Sequence, residues 1–199
     1  MSQFLRVQAL SRRNFLNVAG GTLSAGAVAL LAGREALASH HEGKAGMSGN
    51  DVAILNVALA LEHEAIAAYQ IGAESGLLSK GVLDVAVLFQ SQHKGHRDAL
   101  AATIRKLGGQ PVAELAKDEY VKSAKLNLAA VKAAPDVLAL AQRLELGAVN
   151  AYLGVIPAFG DRELAKVAGR LAADETMHYT ALTQALGQML PASALSFGA

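Results

Sequence analysis

The sequence contains no cysteine among its 199 residues. That excludes disulfides, iron–sulfur clusters and thiolate metal sites, and leaves His, Asp and Glu as the strong ligands or catalysts. An excess of charge of either sign is also missing. With 18 basic and 17 acidic side chains the net charge is +1, too little to mark nucleic acid as a main partner. Charged residues are only 18% of the chain against 52% hydrophobic, so a well-filled core is attainable and disorder is not expected. No stretch alternates apolar and polar residues with period two, which argues against strands. Hydrolase signatures are missing too: there is no G-x-S-x-G elbow, and Glu62-His63-Glu64 lacks the second His of H-E-x-x-H.

The first forty residues carry an address. Ser11-Arg12-Arg13-Asn14-Phe15-Leu16 resembles the twin-arginine export motif, a weakly apolar stretch follows over 18–33, and Ala36-Leu37-Ala38 reads as an A-x-A cleavage site. The expectation is a twin-arginine signal peptide over 1–38 and a periplasmic mature protein. A buried N-terminal helix gives the paired arginines no role. An uncleaved anchor is the stronger rival, but the stretch is shorter than the ~20 residues of a spanning helix and includes Gly20, Gly21 and Gly26. Residues 1–38 hold four arginines and one glutamate, so the remainder has 14 basic and 16 acidic side chains, a net of −2. The whole-chain basicity thus belongs to the signal. Expected partners are the twin-arginine export machinery, with no nucleic acid and no stable membrane association after cleavage; a homodimer is left open.

Beyond the signal, 39–50 reads as a flexible lead-in, with His40-His41-Glu42 either a weak metal binder or a solvated tail. Four helices follow. The first, capped by Asp51, runs to about 75 before Gly76, with an apolar stripe of Leu55, Ala58, Leu59, Ala65, Ile66 and Tyr69. The second covers about 82–107, closed by Gly108-Gly109 and Pro111. The third covers about 136–159, its last turn loosened by Pro157. The fourth, capped by Asp161, covers about 162–189 and stops before Pro191. Short loops make hairpins of the first and last pairs. The 110–135 segment is long enough to cross from one end of a bundle to the other. The expected fold class is an all-α antiparallel four-helix bundle over 51–190 with one long crossover, followed by a tail over 191–199.

The hairpins repeat. Leu61-Glu62…Ala65…Ala68-Tyr69 matches Leu144-Glu145…Ala148…Ala151-Tyr152 at an offset of 83, and His96…Ala99-Leu100 matches His178…Ala181-Leu182 at 82. Glu62 shares a face with Leu55 and Tyr69, and Glu145 with Leu138 and Tyr152. His93 and His96 fall on the stripe of Phe89 and Leu100, and Glu175 and His178 on that of Leu171 and Leu182. All six lie near mid-helix, so they converge in one layer. Three buried carboxylates are costly, and a bound metal would neutralise them and fill their lone pairs. A metal-free Glu–His network is the plain alternative. Tyr69 and Tyr152, two turns further on, are expected mainly to pack, and His63 and Glu64 to lie off the core stripe.

This order resembles the ferritin-like di-metal proteins, which place Glu, Glu-x-x-His, Glu and Glu-x-x-His on four successive helices. Glu62, Glu145 and Glu175-x-x-His178 match the first, third and fourth. The resemblance spans about 50–190 and is nearest to exported ferritin-like domains and desiccation-related proteins. It implies metal ligation by Glu62, His93, His96, Glu145, Glu175 and His178, with Glu175 bridging, and a mono- or dinuclear Fe or Mn centre that reacts with oxygen or peroxide. The second helix departs from the pattern, reading His93-x-x-His96, which removes one bridging carboxylate and shifts metal preference toward nitrogen-favouring ions. Gln92 is a neutral and poor replacement for that carboxylate. The other function the resemblance allows is a stress-protective or binding module with a degenerate site and no catalysis. Iron storage in a cage is not expected.

Overall fold

The computed structural model describes residues 43–198, and their side chains from residue 49. The signal region 1–38 and His40-His41-Glu42 lie outside the described residues. Among the described residues five α-helices form: α1 (Gly43–Glu74), α2 (Lys80–Lys106), the short α3 (Lys117–Val121), α4 (Ala134–Val155) and α5 (Arg162–Ala185). No strand occurs among the described residues.

Helix α1 begins at Gly43, so much of the expected lead-in is helical and Asp51 is no cap. Asp51 is buried and accepts a hydrogen bond from Gly160 N (2.9 Å), while Asn50 donates to Ala158 O (3.0 Å). These two polar residues tie α1 to the α4–α5 turn instead of starting the helix. The other end behaves as expected, with Gly76 at φ +70°, a left-handed position that suits glycine.

Helices α2 and α5 both end in Schellman motifs. Gly108 N reaches Arg105 O and Gly109 N reaches Ile104 O; Gly187 N reaches Gln184 O and Gln188 N reaches Thr183 O. Gly187, at φ +67°, therefore stops α5 four residues before the expected Met189. Gly109 also allows a close crossing, since a Cβ there would lie 2.5 Å from Val52. Helix α4 starts where Asp136 accepts from Lys132 N and Ala133 N (both 2.9 Å). It gives way to a 3-10 turn at Ile156–Ala158, because Pro157 cannot donate the next helical hydrogen bond. Asp161 caps α5, accepting from Glu163 N at 2.7 Å.

The crossover packs along α1 between Asn56 and Glu74. Asn56 holds its start, donating to Gln110 O (3.0 Å) and accepting from Val112 N (2.7 Å). Lys125 pairs with Glu64, and Lys117 meets Glu74 at 2.5 Å. Tyr120 and Leu126 bury against Ala67, Ala68 and Leu140. The core proper has two apolar ends. One packs Leu55, Leu59, Leu100, Ile104, Tyr152, Leu164 and Leu171; the other groups Tyr69, Phe89 and Leu182. A polar layer lies between them.

Candidate metal centre

Each long helix delivers its share of that layer from near its middle: Glu62 from α1, His93 and His96 from α2, Glu145 from α4, and Glu175 and His178 from α5. Glu175 is fully buried, and His96, the most open of the six, is 9% exposed. The i, i+3 spacing puts both α2 imidazoles, and both α5 groups, on one helix face.

The six form two overlapping sets. Glu62, His93, His96 and Glu175 each offer one ligand atom with all four atoms within 4.8 Å of one another, and so do His93, Glu145, Glu175 and His178. Glu175 belongs to both sets, the place the resemblance gives to a bridge. His93 also belongs to both, where a second carboxylate was expected. Its Nδ1 lies 2.8 Å from Glu62 Oε2 and its Nε2 3.2 Å from Glu145 Oε1. His96 Nδ1 is 3.1 Å from Glu175 Oε1, and His178 Nδ1 is 3.2 Å from Glu175 Oε2.

A second ring of contacts orients these groups. His96 donates from Nε2 to Asp174 (3.2 Å), and His178 from Nε2 to the Gln92 amide oxygen (2.6 Å). Both imidazoles are thereby turned so that Nδ1 faces the carboxylates, the usual way an outer partner fixes a ligating tautomer. The exchange is reciprocal: Gln92 of α2 serves α5, and Asp174 of α5 serves α2. These two residues are themselves 82 apart, at the repeat's own offset. Tyr69 donates to Glu145 Oε1 (2.5 Å) and Tyr152 to Glu62 Oε1. The expectation that the tyrosines mainly pack is corrected here, because each reaches across to the glutamate of the other hairpin. Asp174 escaped the sequence reading, since it lies beside the stripe; its signal was its match to Gln92 in the repeat. His63 is buried, near Val112 O at 3.3 Å, and Glu64 binds Lys125 in the crossover.

Burial alone would raise the carboxyls of Glu62 and Glu145, but hydrogen bonds from the facing imidazoles hold both below the ordinary 4.5. At Glu175 burial prevails and the value rises. Burial would lower the imidazoles, yet their carboxylate partners prevail. His96, beside Glu175 and Glu62, is pushed up to about 10, His93 lies well above 6.5, and His178 is also raised. Burial, then the adjacent carboxylates, raises Tyr69 and Tyr152 well above 10.0, so both keep their protons.

The residues fit a metal ion. His96 Nδ1, Glu145 Oε2 and Glu175 Oε1 are buried with no hydrogen-bond partner. His96 Nδ1 and Glu175 Oε1 stand only 3.1 Å apart, but not in line for a hydrogen bond. Unsatisfied buried lone pairs are costly, and one cation between them would satisfy several at once. A small cavity of about 30 Å³ leads to His93 and Glu145 past Gly147 and Ala148, beside the Glu64–Lys125 pair. It has room for about one water.

A helical bundle with such a layer is the architecture of di-metal carboxylate proteins. The ferritin-like domain family matches residues 50–188, and the chain belongs to that family. A conserved hypothetical protein from Mycobacterium tuberculosis, known from a crystal structure, has the same fold. The TM-score is 0.62 at 23% identity, covering 75% of this chain and 99% of that one. At that identity the likeness carries the fold alone. No curated protein matches the chain.

Proposed function

We propose that this is an exported metal-binding protein of the ferritin-like family, with a mono- or dinuclear Fe or Mn centre that reacts with oxygen or peroxide. The observation carrying the proposal is the pair of four-ligand sets that share His93 and Glu175. A bound Fe or Mn ion supplies redox electrons and Lewis acidity. Glu62 and Glu145 would each hold the metal through one carboxylate, and each is kept in place by a tyrosine of the other hairpin. Glu175 spans the two sets, and His96 and His178 offer Nδ1 while Asp174 and Gln92 hold their outer protons. His93 holds a proton between Glu62 and Glu145 or offers a nitrogen to either set. Charge favours one divalent ion with His93 protonated: three carboxylates, one dication and one imidazolium sum to zero. Two dications with neutral imidazoles would leave one positive charge.

Metal analysis of protein taken from its native compartment tests the reading, together with optical spectra of the reduced and oxygen-exposed forms. Less than about a tenth of an equivalent of any transition metal, with helicity intact, sinks it. The twin-arginine motif supports a periplasmic destination, and Arg12→Lys with Arg13→Lys is expected to hold the protein inside the cell, as read by fractionation.

A second reading draws on His93 lying between Glu62 and Glu145. Three imidazolium–carboxylate pairs neutralise one another without metal, as in a stress-protective module with a degenerate site. That reading expects Glu175→Leu with His178→Leu to leave stability unchanged or improved. A large, metal-dependent loss of melting temperature rejects it.

A further inference from the structure

The bundle end beyond Tyr69 contains a cavity of about 240 Å³. Its wall comes from all four long helices and from the crossover residues Leu128 and Val131. Two polar side chains line it, Tyr69 and Ser75, and both are engaged. The Tyr69 hydroxyl donates to Glu145, and the Ser75 hydroxyl donates to Gly72 O and accepts from Leu77 N. Water needs two to four polar partners to settle in such a space, and an extended peptide would bring an unmatched amide with each residue. The lining suits carbon.

The repeat shows that this space is particular to one end. Ala73 lines the cavity, and its counterpart at the offset of 83, Ile156, packs against the other apolar cluster. Val82 lines it too, and its counterpart at the offset of 82 is Leu164, a buried member of that cluster. Where one half fills its end with Ile and Leu, the other has Ala and Val. The inner wall is also the wall of the metal centre. The Phe89 ring stacks on His178 with centroids 4.1 Å apart, and the Tyr69 ring lies 5.4 Å from His93.

We infer that this cavity binds one uncharged, chain-like apolar molecule of about ten carbons, such as a medium-chain alkane or alcohol, with its inner end against Tyr69 and Phe89. The length follows from volume, since a dry cavity of about 150 Å³ takes the six carbons of benzene. Binding is independent of the metal. Only the value of seating a ligand one ring away from the centre rests on the function proposed above.

The test is calorimetric titration of the full chain with 1-decanol, metal-free and Mn²⁺-loaded, alongside hexanol and tetradecanol. Saturable one-to-one binding, strongest near decanol and present without metal, is the expected result. Carrying the other half's residues across, Ala73→Ile with Val82→Leu, is expected to weaken binding by about tenfold or more while raising the melting temperature, as cavity filling does. Leu88→Ser, at an exposed residue of α2 away from the cavity, is expected to leave binding unchanged. Absence of saturable binding overturns the inference, as does equal binding by the filled variant. A dimer by light scattering that binds no alcohol overturns it too, by showing that a second copy covers the mouth. Decanol binding to a protein that takes up no metal sinks the functional proposal and leaves this one standing.

Discussion

Tyr152 and Tyr69 present their hydroxyls to the buried carboxylates of Glu62 and Glu145, which otherwise rely on the imidazoles of the layer. Replacing either by Phe preserves the ring and strands a lone pair of Glu62 or Glu145. Each Tyr→Phe change is expected to cost about 1–3 kcal/mol, measured by urea denaturation of the metal-free protein. At His93 the outcome depends on charge. His93→Glu gives four carboxylates in the layer, which two divalent ions would balance. Metal stoichiometry is expected to rise from about one toward two per chain, read by elemental analysis after equilibrium dialysis. Without metal the same variant is expected to be severely destabilised, by about 3–5 kcal/mol, as when a buried pair loses one partner.

The starts of α4 and α5 each rely on a single carboxylate. Asp161→Ala removes the one side-chain acceptor of the α5 N-terminus and is expected to cost about 1 kcal/mol. Asp136→Ala removes two hydrogen bonds, from Lys132 N and Ala133 N, and is expected to cost at least as much; thermal melts of the two variants compare them. The Asp161 cap was legible, because a polar residue before an apolar periodic run has few other uses; Asp136 marked the start of its helix without being read as the residue that closes it. Asp51 looked identical in sequence. Its acceptor was claimed by Gly160, more than a hundred residues away, and no local signal announces a partner at that distance. The C-terminus of α5 was misplaced for a related reason: Pro191 is the louder stop, but Gly187 acts first.

For the whole molecule, pH works on the polar layer from both sides. His93, His96 and His178 have folded values raised above 6.5. Their stabilisation is fully present below 6.5 and is lost as pH climbs, for His96 toward about 10. Glu62 and Glu145 are depressed below 4.5, so their contribution is present above 4.5 and lost as pH falls. Glu175, raised, works against them above 4.5. The metal-free protein is therefore expected to be most stable between about 4.5 and 6.5 and to lose urea resistance by pH 9. A metal must displace the proton of each imidazole that ligates it, so apparent affinity is expected to rise with pH, up to about tenfold per unit for each proton released. The six residues of the layer could be read from the sequence because helical period and repeat agreed on them. The cavity could not be read, because alanine on an apolar stripe looks like packing until the opposite wall is known.

The crossed tyrosines also bear on ancestry. Two identical hairpins paired about a twofold axis would complete each other's carboxylates in the same way, but every change would strike both halves at once. Joining the halves in one chain lifts that constraint. Position 93 could become histidine while 175 stayed glutamate, and one end could be hollowed while the other stayed full. The lopsidedness of this protein, in its charge layer and in its apolar ends alike, is a freedom that an obligate pair of identical halves does not have.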